Sequence, residues 1–175
     1  MPNFFTRLVI AFFFLSPLCW GADIDRKQPI HVEANQMQYD SQNKVNRYIG
    51  NVIASQGSLT IRSAQIEIRQ DNDGYQLGEA TGSAKQRVFF SQDRNQQNER
   101  IEGEAIRVEY NGRTATLKLS GDAVLRRYRN GELTDQTAGG AITYNDNTGF
   151  FTVESGQNSN SSSGRVTSVF TPPPQ

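Results

Sequence analysis

The chain has 175 residues, with 18 basic and 18 acidic side chains, one histidine and one cysteine. Balanced charge excludes a global basic field for nucleic acid, and one His with one Cys cannot assemble a His/Cys metal centre. Beyond the first two dozen residues, roughly 150 remain, which suits one domain with a real core. Residues 1–22 read as a cleaved signal peptide: Arg7 supplies a positive start, Leu8 to Leu18 an apolar run, and Gly21 and Ala22 small residues at the end. The run is shorter than the roughly 20 residues a spanning helix needs. Cleavage after Gly21 or after Ala22 both remain open, and a lipoprotein acylated on Cys19 or a retained anchor are the rival readings.

From there the apolar period is two. Leu59 and Ile61 alternate with Thr60 and Arg62; Ile66 and Ile68 flank Glu67; Val108 and Tyr110 alternate with Arg107 and Glu109; Leu117 and Leu119 flank Lys118. Such alternation gives each strand one dry face and one wet face. Turn signals separate the strands at Asp73-Gly74, Asn111-Gly112, Asn130-Gly131 and Asn145 to Gly149. Many short strands at regular spacing predict an all-β sandwich, barrel or jelly roll. The polar stretch Ser91 to Arg100 reads as a solvated, mobile loop. Gln157 to Gly164 reads as a flexible link, Arg165 to Thr171 as a last strand, and Pro172 to Pro174 as a block to further pairing.

A longer repeat runs through the chain. Glu33-Ala34, Met37, Tyr39 and Gly50 recur as Glu104-Ala105, Val108, Tyr110 and Gly121, at a constant offset of 71. Weaker echoes are Gly82-Ser83-Ala84 and Ala141 to Tyr144. Two strands per unit, stacked on similar neighbours, is the physical meaning of such a period.

Nothing in the chain is arranged as a catalyst, so no enzymatic turnover and no cofactor are expected. His31 would have to serve any Ser-His-Asp arrangement from the first strand. Glu33, Glu67, Glu104 and Glu109 are carboxylates on strands with no spacing that favours an acid–base pair. No Gly-rich phosphate loop opens a helix. Arg126-Arg127-x-Arg129 is locally basic and reads as a solvated strand end, or as a contact for phosphate or an acidic partner.

Several segments in order resemble the OstA-like family, the family of LptA. They are Gln28-Pro-Ile-His-Val-Glu33, Gly50-Asn-Val-Ile-x-x-Gln-Gly57, Glu102-Gly103-x-Ala105 with Tyr110, Gly121-Asp-Ala123, and Arg165-Val-Thr-x-Val. The likeness covers about Gln28 to Thr171. The chain departs from it in the Ser/Asn-rich link and in extra residues between Gly82 and Phe90. The resemblance implies an open, twisted antiparallel β jelly roll over residues 23–171 with an apolar internal groove, and a Pro-rich tail at 172–175. It also implies a role: binding lipopolysaccharide by its lipid A part and carrying it across the periplasm, between inner and outer membranes, as part of a bridge. Implied partners are LptC at the N-terminal edge, LptD at the C-terminal edge, and further copies of the chain head to tail. About eight strands per sheet at roughly 4.8 Å would give a reach of about 40 Å. The alternative is a structural or carbohydrate-binding β repeat protein of the cell envelope.

Periodicity and resemblance together place Ile30, Val32, Met37, Tyr39, Phe89, Val108, Tyr110, Leu117, Leu119, Ile142, Tyr144 and Phe151 toward the groove. The two terminal strands carry little charge to blunt their edges. Gln28, Ile30 and Val32 at one end, and Arg165, Val166, Val169 and Phe170 at the other, are therefore expected to dock neighbours by strand addition.

Overall fold

The computed structural model describes residues 25, 27–94, 98–156 and 164–171. The expected signal peptide, most of the link and the Pro-rich tail lie outside them. Among the described residues twelve strands form one antiparallel system: β1 (His31–Glu33), β2 (Gln36–Asp40), β3 (Val45–Gln56), β4 (Leu59–Gln70), β5 (Gln76–Thr81), β6 (Val88–Arg94), β7 (Glu99–Ala105), β8 (Arg107–Asn111), β9 (Thr116–Arg129), β10 (Glu132–Asn145), β11 (Phe151–Glu154) and β12 (Thr167–Phe170). Among the described residues no helix is long and apolar enough to cross a membrane.

The four long strands, β3, β4, β9 and β10, belong to two layers at once. The first half of β3 pairs with β2 and the second half with β1. β4 pairs with β6 through its first half and β5 through its second. β9 pairs with β8 and then β7, and β10 with β12 and then β11. One layer therefore runs β2-β3-β4-β5-β8-β9-β10-β11 and the other β1-β3-β4-β6-β7-β9-β10-β12, eight segments each. This is the expected jelly roll, open at both ends.

Backbone chemistry creates the fold line. Gly50 and Asn51 both have positive φ (83° and 48°), and so do Gly121 and Asp122 (82° and 50°). Left-handed residues inside a strand insert a bulge and turn it, and Gly, Asn and Asp adopt that region at least cost. The β3–β4 register shifts between Ile49 and Val52 at this point. The Gly50 carbonyl accepts from the Asn35 N–H at 3.0 Å, and the Gly121 carbonyl from the Ile106 N–H at 3.1 Å. Lys44 and Ala115 close the preceding turns with φ of 54° and 50°. All these pairs are 71 residues apart, so the repeat is a repeat of backbone conformation as well as of sequence. The weaker echoes are not further copies: Gly82 to Ala84 lies in the β5–β6 connection and Ala141 to Tyr144 near the end of the long strand β10.

The stretch from Ser91 to Arg100 departs from its expectation as a loop. Ser91 to Arg94 end β6, Glu99 and Arg100 begin β7, and Gln92↔Ile101, Asp93↔Arg100 and Arg94↔Glu99 are ladder partners. Its polar residues pair across a hairpin, a non-local interaction that composition does not register. Ser91 is buried.

Candidate functional site

Strand pairing turns the alternating apolar positions into rows. On the inner face of the first layer, one row reads Met37, Tyr48, Ile66, Ala80, Val108, Leu119, Ile142 and Val153, each the register partner of the next. The parallel row reads Tyr39, Asn46, Ile68, Gly78, Tyr110, Leu117, Tyr144 and Phe151. The second layer faces them with Val32, Ala54, Ile61, Phe90, Gly103, Leu125, Thr137 and Ser168. The buried members form one core between the layers.

This arrangement accounts for the candidate residues one by one. Val108, Leu117, Leu119, Ile142 and Tyr144 are buried, and Val32, Tyr110 and Phe151 pack against that core. Ile30 precedes β1 and lines the groove. Met37 and Tyr39 lie on the inner face but remain 50% and 60% exposed, because no strand follows β2 on its outer side. Phe89 is the exception: its neighbours Val88 and Phe90 are buried, and its own ring lies on the outer face under the Arg62 guanidinium, 5.9 Å from the centroid. In Val88-Phe89-Phe90 three apolar residues follow one another, so period two leaves the face undefined, and a slip of one inverts it. Of the terminal residues, Gln28 and Ile30 fall before β1, Arg165 and Val166 before β12, and Val169 and Phe170 within β12, exposed. Alternation did not reveal Phe90, Tyr48 and Leu125 as inward residues; they emerge only from the register.

Between the layers, one apolar space of about 80 Å³ is walled by Ala54, Leu59, Ile61, Ile66, Ile68, Gly78, Val108 and Tyr110, toward the β1/β2 end. A second, of about 110 Å³, lies toward the other end against Ile101, Leu125, Tyr144, Phe151 and Phe170. Charged residues border these spaces at few points, Glu79 at the first and Arg126, Arg127 and Asp135 at the second; other carboxylates are paired away from them. Glu67 pairs with Arg47 at 2.6 Å, Glu104 with Arg126 at 2.6 Å and Glu109 with Arg107 at 3.1 Å, all on outer faces. Arg127 and Arg129 both approach Glu99 at 3.5 Å, so the basic run is neutralised in place. His31 is exposed on the edge strand. Among the described residues no group of three or more His, Cys, Asp or Glu could hold a metal ion.

One buried group is costly. The Tyr144 hydroxyl has no hydrogen-bond partner among the described residues, and Arg94 lies over its ring at 5.4 Å. Burial pushes its pKa far above the ordinary value, with Asp146 and Glu99 adding to the rise. A raised folded pKa contributes stability that is complete below the ordinary value near 10 and is lost as pH climbs through the folded value. Tyr144→Phe is expected to be about 1 kcal/mol more stable at pH 7, because it removes an unpaired buried hydroxyl. It should also lose less stability above pH 10. Urea unfolding at pH 7 and 10.5 measures both, and a destabilised variant at pH 7 would show that the hydroxyl is satisfied after all.

Known proteins supply the context for this geometry. The family described as "LptA/(LptD N-terminal domain) LPS transport protein" matches residues 31–150. The lipopolysaccharide export system protein LptA of Escherichia coli K12 is 28% identical over 120 residues, which are 69% of this chain and 61% of that protein; LptA of Shigella flexneri matches equally. The chain thus spans about 61% of the length of the curated relatives it matches. The crystal structure of LptH, described as the LptA-homologous periplasmic component of the lipopolysaccharide transport device of Pseudomonas aeruginosa, has the same fold. It superposes with a TM-score of 0.71 at 22% identity, over 85% of this chain and 99% of that one. With more than half of its length under the family's profile and the two-layered jelly roll in common, the chain belongs to the LptA/LptD N-terminal domain family.

Proposed function

We propose that the chain binds lipopolysaccharide by its acyl chains between the two layers and hands it on across the periplasm, as one member of a head-to-tail bridge. The observation that carries this reading is the row from Met37 to Val153: eight apolar side chains in unbroken register across eight strands, ending in open edges on both sides. An acyl chain of about a dozen methylenes carries roughly 10 kcal/mol of apolar penalty in water, at about 0.8 per CH₂. A continuous dry row offsets that penalty at every step, and similar rows in both repeats keep any one position from becoming a trap. The groove holds, and supplies no chemical step; direction has to come from another component. By the family likeness, LptC would meet the β1/β2 edge, and LptD or another copy the β11/β12 edge.

The test is lipid mass spectrometry of the protein purified from periplasm. Lipopolysaccharide is expected to co-purify with the unaltered chain. Gly78→Leu should abolish it while leaving the fold intact: a Cβ there meets nothing closer than Tyr110 at 3.8 Å and projects into the 80 Å³ space. A lipid-free wild-type protein, or a Gly78→Leu protein that still carries lipid, would favour the structural β repeat instead.

A further inference from the structure

The groove is not uniform along its length. Its two apolar spaces share no wall residue, and Phe90, Leu119 and Ile142, each at most 1% exposed, fill the region between them. These three side chains leave no open passage from one space to the other. An acyl chain can pass from the first space to the second only if the layers part at this filled region.

Besides the apolar core itself, a polar contact joins the layers at the mouth, where the end of β6 faces the β10–β11 turn. Arg94 ends β6 in the second layer, and Asp146 sits in the β10–β11 turn of the first. The Arg94 guanidinium donates to the Asp146 carbonyl at 2.7 Å and lies 3.8 Å from its carboxylate. Both side chains are mostly buried, at 23% and 12% exposure, where a charge-assisted contact is screened less than on an open surface. Two further features shape the place. The turn carries Gly149 at φ 70°, and a Cβ there would come 3.0 Å from the Arg94 guanidinium, so glycine leaves room for the reach. The turn is fixed to its own layer by the Asp146 N–H on the Ala115 carbonyl at 2.9 Å, so pulling Asp146 pulls the layer.

We propose that Arg94 and Asp146 form a clasp that holds the mouth shut beside Tyr144, at the second space. Lipid then enters between the layers on the β1/β2 side and advances only when the clasp parts. This rests on the lipid-groove reading, but the clasp itself can be measured without lipid. Hydrogen exchange of the full chain should show the Asp146 and Gly149 amides exchanging at least tenfold faster in Arg94→Gln, with Gly74, in the equivalent turn without a clasp, unchanged. Arg94→Lys, which keeps charge but loses the fork, should fall between. Stopped-flow uptake of fluorescently labelled lipopolysaccharide should be at least threefold faster in Arg94→Gln, and slowed again in the charge-swapped Arg94→Asp/Asp146→Arg. Unchanged amide exchange in Arg94→Gln and Asp146→Asn would overturn the clasp. Faster exchange with an unchanged uptake rate would overturn its role in gating. If the wild type takes up no lipopolysaccharide while exchange still responds to Arg94, the clasp stands as a contact and the lipid reading is what fails.

Discussion

Gly103→Val is expected to cost at least about 3 kcal/mol, the upper range for overpacking a filled core. Gly103 sits in β7 opposite Phe90, whose ring rests against it; any Cβ would fall inside the space the ring occupies. Phe90 is 1% exposed and cannot swing out, because Ile61 follows it on the next strand of the same row. Phe90→Ala alone should cost about 3–5 kcal/mol by leaving a cavity. The pair must then couple: in the double variant the valine fills part of the space the ring vacates, and the total loss should be smaller than the sum by more than about 1 kcal/mol. Urea unfolding followed by far-UV circular dichroism measures all three. Additive losses would mean that the ring does not rest on the glycine.

The second large effect concerns the open edges. Within the chain, the junction between repeats is made by β5 with β8, where Gly78 faces Tyr110 and Ala80 faces Val108. By their places in the rows, Phe151 and Val153 of β11 correspond to Gly78 and Ala80, and Tyr39 and Met37 of β2 to Tyr110 and Val108. On the bridge reading, copies therefore join with Phe151 opposite Tyr39 and Val153 opposite Met37, and both rows continue without a step. Replacing Met37 and Tyr39 together by lysine would place two ammonium groups in the dry row of that junction, the way natural edges are blunted. Self-association in sedimentation equilibrium should weaken at least tenfold, with the melting temperature nearly unchanged, since both side chains are half exposed in the single chain. Truncation after Gly164 should act similarly by removing β12. Association that survives both changes would rule out docking through these strands.

Much of this was legible from period and spacing, and the failures have physical causes. Alternation placed Val108, Tyr110, Leu117 and Leu119 correctly because each lies in an uninterrupted strand segment. The offset of 71 was readable because positive φ demands Gly, Asn or Asp at the bulges, so backbone need is written in residue type. Phe89 was misplaced because an apolar triplet carries no parity. Ile53 shows the same hazard from another cause: the bulge at Gly50-Asn51 resets the alternation, leaving Val52 buried and Ile53 exposed. The Ser91 to Arg100 hairpin was missed because its stability is cross-strand, Arg94 with Glu99 and Gln92 with Ile101. The contact of Arg94 with Asp146 joins residues 52 positions apart, and nothing local in either segment announces it.

The matched bulges at Gly50-Asn51 and Gly121-Asp122 make the molecule a ruler with a fixed graduation. Each unit adds four strand segments to each layer, or about 19 Å at roughly 4.8 Å per strand. Because the seam inside the chain and the seam between chains would be built alike, a gene that gained or lost one unit of this length would alter the span by one graduation and leave the ends unchanged. Span could then evolve by copying, with no new interface to invent.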